Sequence, residues 1–348
     1  MTKRFFHPLG LDIGGANLKA ASASGEAWSE VFPMWREPQN LATRLRAIIA
    51  RFPATDAVAV TMTGELADCF ATKEEGVVAI TNAVEEAAEG RPLRIWTTRG
   101  EFVDAASARR SHASVAAANW HALATWAGRL VPTGPAVLLD VGSTTSDLIP
   151  IVDGLPCAEG TTDLTRMLAG ELVYTGVRRT PVCAIPTTVR IRGVEIHPAA
   201  ELFATTHDVY LLLNEIPEDE SNSDTANGRP ATRYWAIDRL ARAFCCDRTE
   251  LTPEEVLDIA RQLAAAQRDQ LRKPLDRIAA RFHGAPVIFI TSGSGSFLAR
   301  QVLTGHPAAG AVSPIALDAY LSPQLAESAP AYAVAVLLAE IETNHNAI

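Results

Sequence analysis

The chain lacks an excess of positive charge, a long apolar run and any paired cysteine motif, and each lack weighs against a class of function. Asp and Glu outnumber Lys and Arg by 40 to 31, a net charge of −9. Phosphate backbones reward basic surfaces, so this balance argues against nucleic acid as a partner, while leaving room for a local basic pocket that holds a small anion. No apolar run is long enough to cross a bilayer, and the opening MTKRFFHPLG has no apolar core of a signal peptide, so no membrane partner is expected. The five cysteines (Cys69, Cys157, Cys183, Cys245, Cys246) form no CxxC pair. Reduced thiols in a cytoplasm are the expectation, with Cys245-Cys246 read as filler rather than a metal half-site.

What is present points to a two-domain globular enzyme. A length of 348 residues is long for one core, and 48% hydrophobic with 20% charged residues is ordinary for a globular protein. Near the start, GLDIGGANLKAA (10–21) runs an apolar strand into Asp12, breaks at Gly14-Gly15 and resumes at Asn17-Leu18-Lys19. The stretch VLLDVGSTTSDLIPI (137–151) repeats the pattern: apolar strand, Leu-Asp, Ile or Val, Gly, a small polar turn, a second strand. A dinucleotide fold would lead from the glycine turn into a helix. Here each continuation is short and meets another turn, so each copy reads as a β-hairpin whose exposed N–H groups can form an anion nest. Asp12 and Asp140 stand where a carboxylate could hold a hydrated divalent cation beside that anion.

A third element, VIFITSGSGSFLA (287–299), is a strand feeding Gly293 and Gly295 and then a helix, a phosphate-facing arrangement. DAVAVTMTGEL (56–66) reads as a buried strand ending near Glu65, with Asp68 behind it. RIWTTRGEFV (94–103) is another strand and turn, and SHASVAAANWHALATWAGRLV (111–131) is expected to be one Ala-rich helix carrying Asn119. Thr252, Pro253 and Glu255 form a capping box opening a helix striped by Val256, Ile259, Ala260 and Leu263. Val334, Leu337, Leu338 and Ile341 stripe a terminal helix over about 330–342. The segment 217–233, PEDESNSDTANGRPATR, has no apolar period and reads as a surface loop, of the length that often serves binding; Arg229 in it could offer a fork of donors to an anion.

Two DxG hairpins with a late strand–GSGS–helix resemble the phosphate and nucleotide motifs of the actin-like superfamily of kinases, actin and heat-shock ATPases. TMTGELAD, LLDVGSTTSDLIPI and ELVYTGVRRTPV resemble its hydantoinase/oxoprolinase group. AANWHA, YTGVRRTPV and DTANGRPATR are together similar to proteins linked to tetrahydromethanopterin-dependent one-carbon transfer, whose archaeal members make the ether bond of methanofuran.

The resemblance implies an α/β fold of two actin-like (ribonuclease H-like) domains with a cleft between them. Residues 1–130 would form the first, with helix 330–342 packing back on it, and 131–329 the second, with loop 217–233 inserted. Hairpins 9–21 and 137–151 are expected to face each other across the cleft. The implied reaction joins an aminomethyl-furanmethyl diphosphate to the phenol of a γ-glutamyltyramine- or tyrosine-type acceptor, forming an ether and releasing diphosphate. Under it Asp12, Gly14, Gly15, Asn17 and Lys19 form one diphosphate site. Gly142, Ser143, Thr144 and Thr145 form a second, joined by Gly293 and Gly295. Lys19, Asp12 and Asp147 are the catalytic candidates, and Asp12 and Asp140 the Mg²⁺ candidates. Glu65, Asp68, Asn119, Arg178, Arg179, Asp224 and Arg229 are candidates for substrate contact. Mg²⁺ is expected, ATP is left open but not required, and a homo-oligomer is left open. The alternatives are an ATP-dependent kinase or hydantoinase-type hydrolase, and a non-catalytic actin-like nucleotide-binding module.

Overall fold

Strand β1 (Pro8–Ile13) is buried along its whole length because it has strand neighbours on both sides and helices over both faces. It pairs antiparallel with β2 (Asn17–Ser22) and parallel with β4 (Ala57–Met62). With β3 (Ala27–Val31), β5 (Leu93–Trp96) and β6 (Phe102–Val103) these form a six-stranded sheet of order β3-β2-β1-β4-β5-β6. Further along come β7 (Pro135–Val141), β8 (Ser146–Val152), β9 (Leu155–Pro156), β10 (Leu172–Val173), the small hairpin of β11 (Val189–Ile191) and β12 (Val194–Ile196), β13 (Ile288–Ser292) and β14 (Ile315–Ala316). A second sheet runs β10-β8-β7-β13-β14, with β9 beside β8.

The structure describes residues 6–309 and 313–345 and is a computed structural model. Its helices, among the described residues, are α1 (Leu41–Ala50), α2 (Lys73–Ala88), α3 (Ala105–Arg110), α4 (His112–Val115), α5 (Asn119–Ala127), α6 (Asp163–Ala169), α7 (Thr206–Leu212), α8 (Arg233–Arg242), α9 (Pro253–Ala280), α10 (Ser296–Leu303), α11 (Pro323–Glu327) and α12 (Ala329–His345). The chain divides into two units. Unit 1 takes the chain up to Leu138, Ile149–Ala169 and the chain from Ala316 on; unit 2 takes Leu139–Leu148 and Gly170–Ile315.

The internal repeat is carried by topology. In the first sheet β2 and β3 lie on one side of β1 and β4, β5 and β6 on the other; in the second β8 and β10 lie on one side of β7, with β9 beside β8, and β13 and β14 on the other. Alternation along the strands of unit 1 then builds a three-layer body. Leu9, Leu11 and Ile13 face Leu45, Ile48, Val77 and Ile80 of α1 and α2, whereas Ala57 and Ala59 of β4 face Ala118, which precedes α5, and Ala122, Val334 and Leu337 of α5 and α12. Gly10 lets α12 lie directly on β1, since a Cβ there would come 1.8 Å from the Ala331 carbonyl oxygen. Ile341, expected in the buried stripe of α12, is 38% exposed, beyond the stretch that the sheet covers.

The expected helix over 111–131 is broken. Helix α4 stops at Val115, Ala117 takes a left-handed φ of 49°, and α5 starts at Asn119. Ala116 belongs to the core on one face of the first sheet and Ala118 to the core on the other. The chain crosses the end of the sheet at this point, which a straight helix cannot do, so tertiary packing overrides the helical preference of alanine. Helix α9 follows its capping signal: Thr252 Oγ1 accepts from Glu255 N at 3.2 Å, and the Glu255 carboxylate accepts from Thr252 N at 2.9 Å.

Candidate active site

In unit 1 the turn after β1 is closed by Gly14 N donating to Asn17 O at 3.0 Å. Its carbonyls are tied back, that of Gly15 by Met34 N and that of Ala16 by Phe32 N. Among the described residues nothing accepts from the N–H groups of Gly15 and Ala16. A turn with its oxygens engaged and its N–H groups free is an anion nest. Gly15 leaves open space within 4 Å of where a Cβ would stand. Beside the nest, Asp12 and Lys19 are register partners on β1 and β2. Asp12 is buried and one carboxylate oxygen, Oδ1, has no hydrogen-bond partner. Burial raises its pKa, and the Lys19 ammonium opposes the rise.

In unit 2 the turn after β7 repeats the design. Gly142 N donates to Thr145 O at 2.8 Å; Gly142 O accepts from Val177 N, and Ser143 O accepts from Arg178 N and Arg179 N at 3.0 and 2.9 Å. Nothing among the described residues accepts from the N–H groups of Ser143 and Thr144. The segment 175–180 is clamped against this turn. A Cβ on Gly176 would come 2.5 Å from Ser143 C and Thr144 N, and the Gly176 carbonyl accepts from Thr206 Oγ1, Gln267 Nε2 and Thr180 Oγ1. This clamp holds the exposed Arg178 and Arg179 beside a second nest. Gly293, at φ +87°, and Gly295 press on the same strand: a Cβ on the first would meet Val141 O at 2.3 Å and Asp140 Oδ1 at 2.6 Å, and Gly295 N donates to Val141 O at 2.8 Å. Gly293 is therefore required for packing around Asp140, and Gly295 for packing against Val141 and Val177. Asp147, on β8, is paired in register with Leu172.

Loop 217–233 has its ends joined by Asp219 N donating to Ala231 O. From beneath, buried Arg239 pairs with buried Asp208 at 2.7 Å and donates to Asn227 Oδ1 at 3.2 Å. Arg229 lies over the Trp235 ring, 5.0 Å from its centroid, and exposed Asp224 meets Arg179 at 3.4 Å.

Glu65 occupies the most unusual setting. Thr63 N and Gly64 N both donate to Ile13 O at 2.9 Å, so the end of β4 is laced to the end of β1, and Gly64 presses on the backbone of Gly14. Glu65 is 1% exposed, and its Oε2 has no hydrogen-bond partner. Burial pushes its pKa up to about 7; the charge of Asp163 adds to the rise, while Lys73 and the N–H groups of Glu65 and Ala117 oppose it. Lys73 and Asp163 form an ion pair at 2.8 Å. Helix α2 must carry Gly76 here, because a Cβ would come 2.2 Å from the Glu65 carbonyl oxygen. Asn119 opens α5, its Oδ1 accepting from Trp120 N, and buried Arg166 lies over the Trp120 ring at 4.2 Å. Asp68 is exposed. Lys73, Asp163 and Ala117 were missed from sequence, and no spacing could have found them: Lys73 and Asp163 are 90 residues apart.

In unit 1 these residues lie at the carboxyl ends of the parallel strands β1 and β4, where open α/β sheets bind ligands. The fold is mixed α/β, with two sheets each led by a strand–glycine turn–strand unit. A model of the hydantoinase/oxoprolinase family matches residues 56–341, and the chain belongs to that family. A curated relative from Methanocaldococcus jannaschii, named (4-{4-[2-(gamma-L-glutamylamino)ethyl]phenoxymethyl}furan-2-yl)methanamine synthase, is 33% identical over 333 residues, which is 95% of this chain and 97% of the relative. A relative of the same name from Methanococcus vannielii is 29% identical over 202 residues, 58% of this chain and 90% of its own. Among solved structures, the ADPNP-bound activator of 2-hydroxyisocaproyl-CoA dehydratase from Clostridium difficile aligns over 98% of both chains, at 12% identity and a TM-score of 0.45.

Proposed function

We propose that this chain is a transferase of methanofuran-type cofactor biosynthesis, joining an aminomethyl-furanmethyl diphosphate to the phenol oxygen of a γ-glutamyltyramine-type acceptor and releasing diphosphate. The observation that carries this reading is the turn after β1, with its carbonyls tied back, the Gly15 and Ala16 N–H groups free, and Lys19 and Asp12 beside it. The name of the curated relatives supports it, since a phenoxymethyl-furan is the ether such a reaction forms.

A methylene carbon on a furan ring can release diphosphate as a stabilised cation, so the main task of the protein is to hold the departing negative charge. Preorganised N–H donors and an ammonium do this with no reorganisation at the moment of reaction. In unit 1 the Gly15 and Ala16 N–H groups and Lys19 take that role. In unit 2 the N–H groups and hydroxyls of Ser143 and Thr144, with Arg178 and Arg179, offer the same chemistry. The free, buried Oδ1 of Asp12 is a hard oxygen donor, which fits Mg²⁺, an ion held by one or two carboxylates and the oxygens of a phosphate ligand. Bound there, Mg²⁺ would add positive charge beside the diphosphate. The reaction as written consumes no ATP. Mass spectrometry of the product formed from the furanmethyl diphosphate and a tyramine-type phenol, with assay of released diphosphate, tests the reading. An ether of the expected mass supports it, and phenol recovered unchanged with diphosphate still esterified sinks it.

A further inference from the structure

We propose that Glu65 is the base that takes the acceptor's phenolic proton as the ether bond forms, an inference that rests on the transferase reading above. Four features of unit 1 lead to it. First, Glu65 follows Gly64, which presses on the backbone of Gly14, so the Glu65 backbone is one residue from a contact with the turn assigned to the leaving diphosphate. Second, Oε2 is buried with no hydrogen-bond partner, a costly arrangement for a purely structural carboxyl, which ordinarily satisfies both oxygens. Third, neighbouring chain closes on this residue: a Cβ on Gly76 would come 2.2 Å from its carbonyl oxygen, and the Ala117 N–H is directed at its carboxyl. Fourth, the charged groups acting on the carboxyl are of both signs. Lys73 on α2 favours its ionised form and Asp163 on α6 its neutral form.

Two other charged groups on those helices have contacts of their own. Glu75 of α2 accepts from Ala71 N at 2.9 Å, and Arg166 of α6 lies over Trp120. The result is a carboxyl poised near pH 7, where a general base works best. Because Oε2 lies below the surface, the proton reaches it through one intervening water. In the step, the bond from the methylene carbon to the diphosphate oxygen breaks and its electron pair leaves with the diphosphate. A phenol lone pair forms the new carbon–oxygen bond, the O–H pair stays on oxygen, and the proton goes to Glu65, which later yields it to solvent.

The test compares full-length wild type and Glu65→Gln, using the furanmethyl diphosphate with a tyramine-type phenol and with a ring-fluorinated, more acidic one. The amide keeps the shape of the side chain and removes the base. With the parent phenol the rate should fall about 10²–10⁴-fold, and the loss should be smaller with the fluorinated phenol, whose proton leaves with less help. An unchanged rate, or an equal loss with both phenols, overturns the proposal, because a structural role does not sense acceptor acidity. Absence of ether from the wild type would instead overturn the transferase reading. If Glu65→Gln does not fold, Asp163→Asn replaces it: removing that negative charge should shift the low-pH limb of the wild-type rate profile downward, and an unmoved limb overturns the assignment.

Discussion

Asp12 and Lys19 stand directly opposite each other on β1 and β2, with opposed charges at the mouth of the first glycine turn. Side chains paired in register share one face of a sheet, so the ammonium lies beside the carboxylate that has a free oxygen. Lys19→Ala should therefore lower the rate of condensation more than it weakens acceptor binding. A charge contact that strengthens as diphosphate departs appears in kcat, whereas uniform binding appears in KM. The expected loss is about 2.7–4 kcal/mol, or roughly 10²–10³ in rate. Lys19→Arg should rescue poorly, because a planar fork does not replace a compact point charge. Steady-state kinetics of the three forms check this; a near-wild-type kcat for a folded Lys19→Ala protein makes Lys19 an ordinary strand lysine.

Diphosphate should bind the free protein in a Mg²⁺-dependent manner and at least as tightly as ATP. Asp12→Asn should remove most of the Mg²⁺ dependence while leaving the N–H nest in place. Isothermal titration with and without Mg²⁺ measures both; tight ATP binding with no detectable diphosphate binding would favour an ATP-dependent enzyme instead.

Two glycines of β1 and its turn should separate stability from binding. Gly10→Ala drives a Cβ to within 1.8 Å of the Ala331 carbonyl, a backbone atom of α12 that cannot rotate away. A loss of about 3 kcal/mol is expected, at the upper end for overpacking. Gly15→Ala meets nothing within 4 Å, so it should melt like wild type yet weaken diphosphate binding by placing a methyl over the nest. Thermal denaturation beside titration tests the pair; equal melting temperatures for the two variants would contradict the packing of α12 on β1.

Glu65 should make stability fall as pH rises from 4.5 to about 7. Its carboxyl has a pKa of about 7 in the fold against an ordinary value of 4.5. Between those values the folded state holds a proton that the unfolded chain has released, so the contribution is full below pH 4.5 and lost as pH rises to 7. The gap amounts to roughly 3 kcal/mol. His121, lowered from 6.5 to about 4 chiefly by burial and then by Arg166, acts in the opposite sense, its stability being lost as pH falls through that range. Denaturant unfolding of wild type and Glu65→Gln at pH 5 and 7.5 isolates the carboxyl. The difference between the two proteins should shrink or reverse at the higher pH, and a constant difference refutes the raised pKa.

The glycine turns, the capping box at Thr252 and the loop at 217–233 were legible because each rests on local chemistry: a residue that lets the backbone approach, a hydroxyl three residues before a carboxyl, a run with no apolar period. The repeated Leu-Asp-x-Gly pattern announced the two hairpins for the same reason. The break at Ala117 was not legible. Every residue around it favours a helix, and the chain turns there because Ala116 and Ala118 are needed in cores on opposite faces of one sheet. The setting of Glu65 was equally hidden, since it depends on burial and on Lys73 and Asp163, which meet only after folding.

The sequence by itself therefore determined where backbone N–H groups could be left free to meet an anion, and which half of the chain would carry each set. Tertiary structure decided which carboxyl is poised to move a proton. A turn is set by the torsional freedom of a few adjacent residues, whereas a pKa is set by desolvation and by charges brought near from distant parts of the chain.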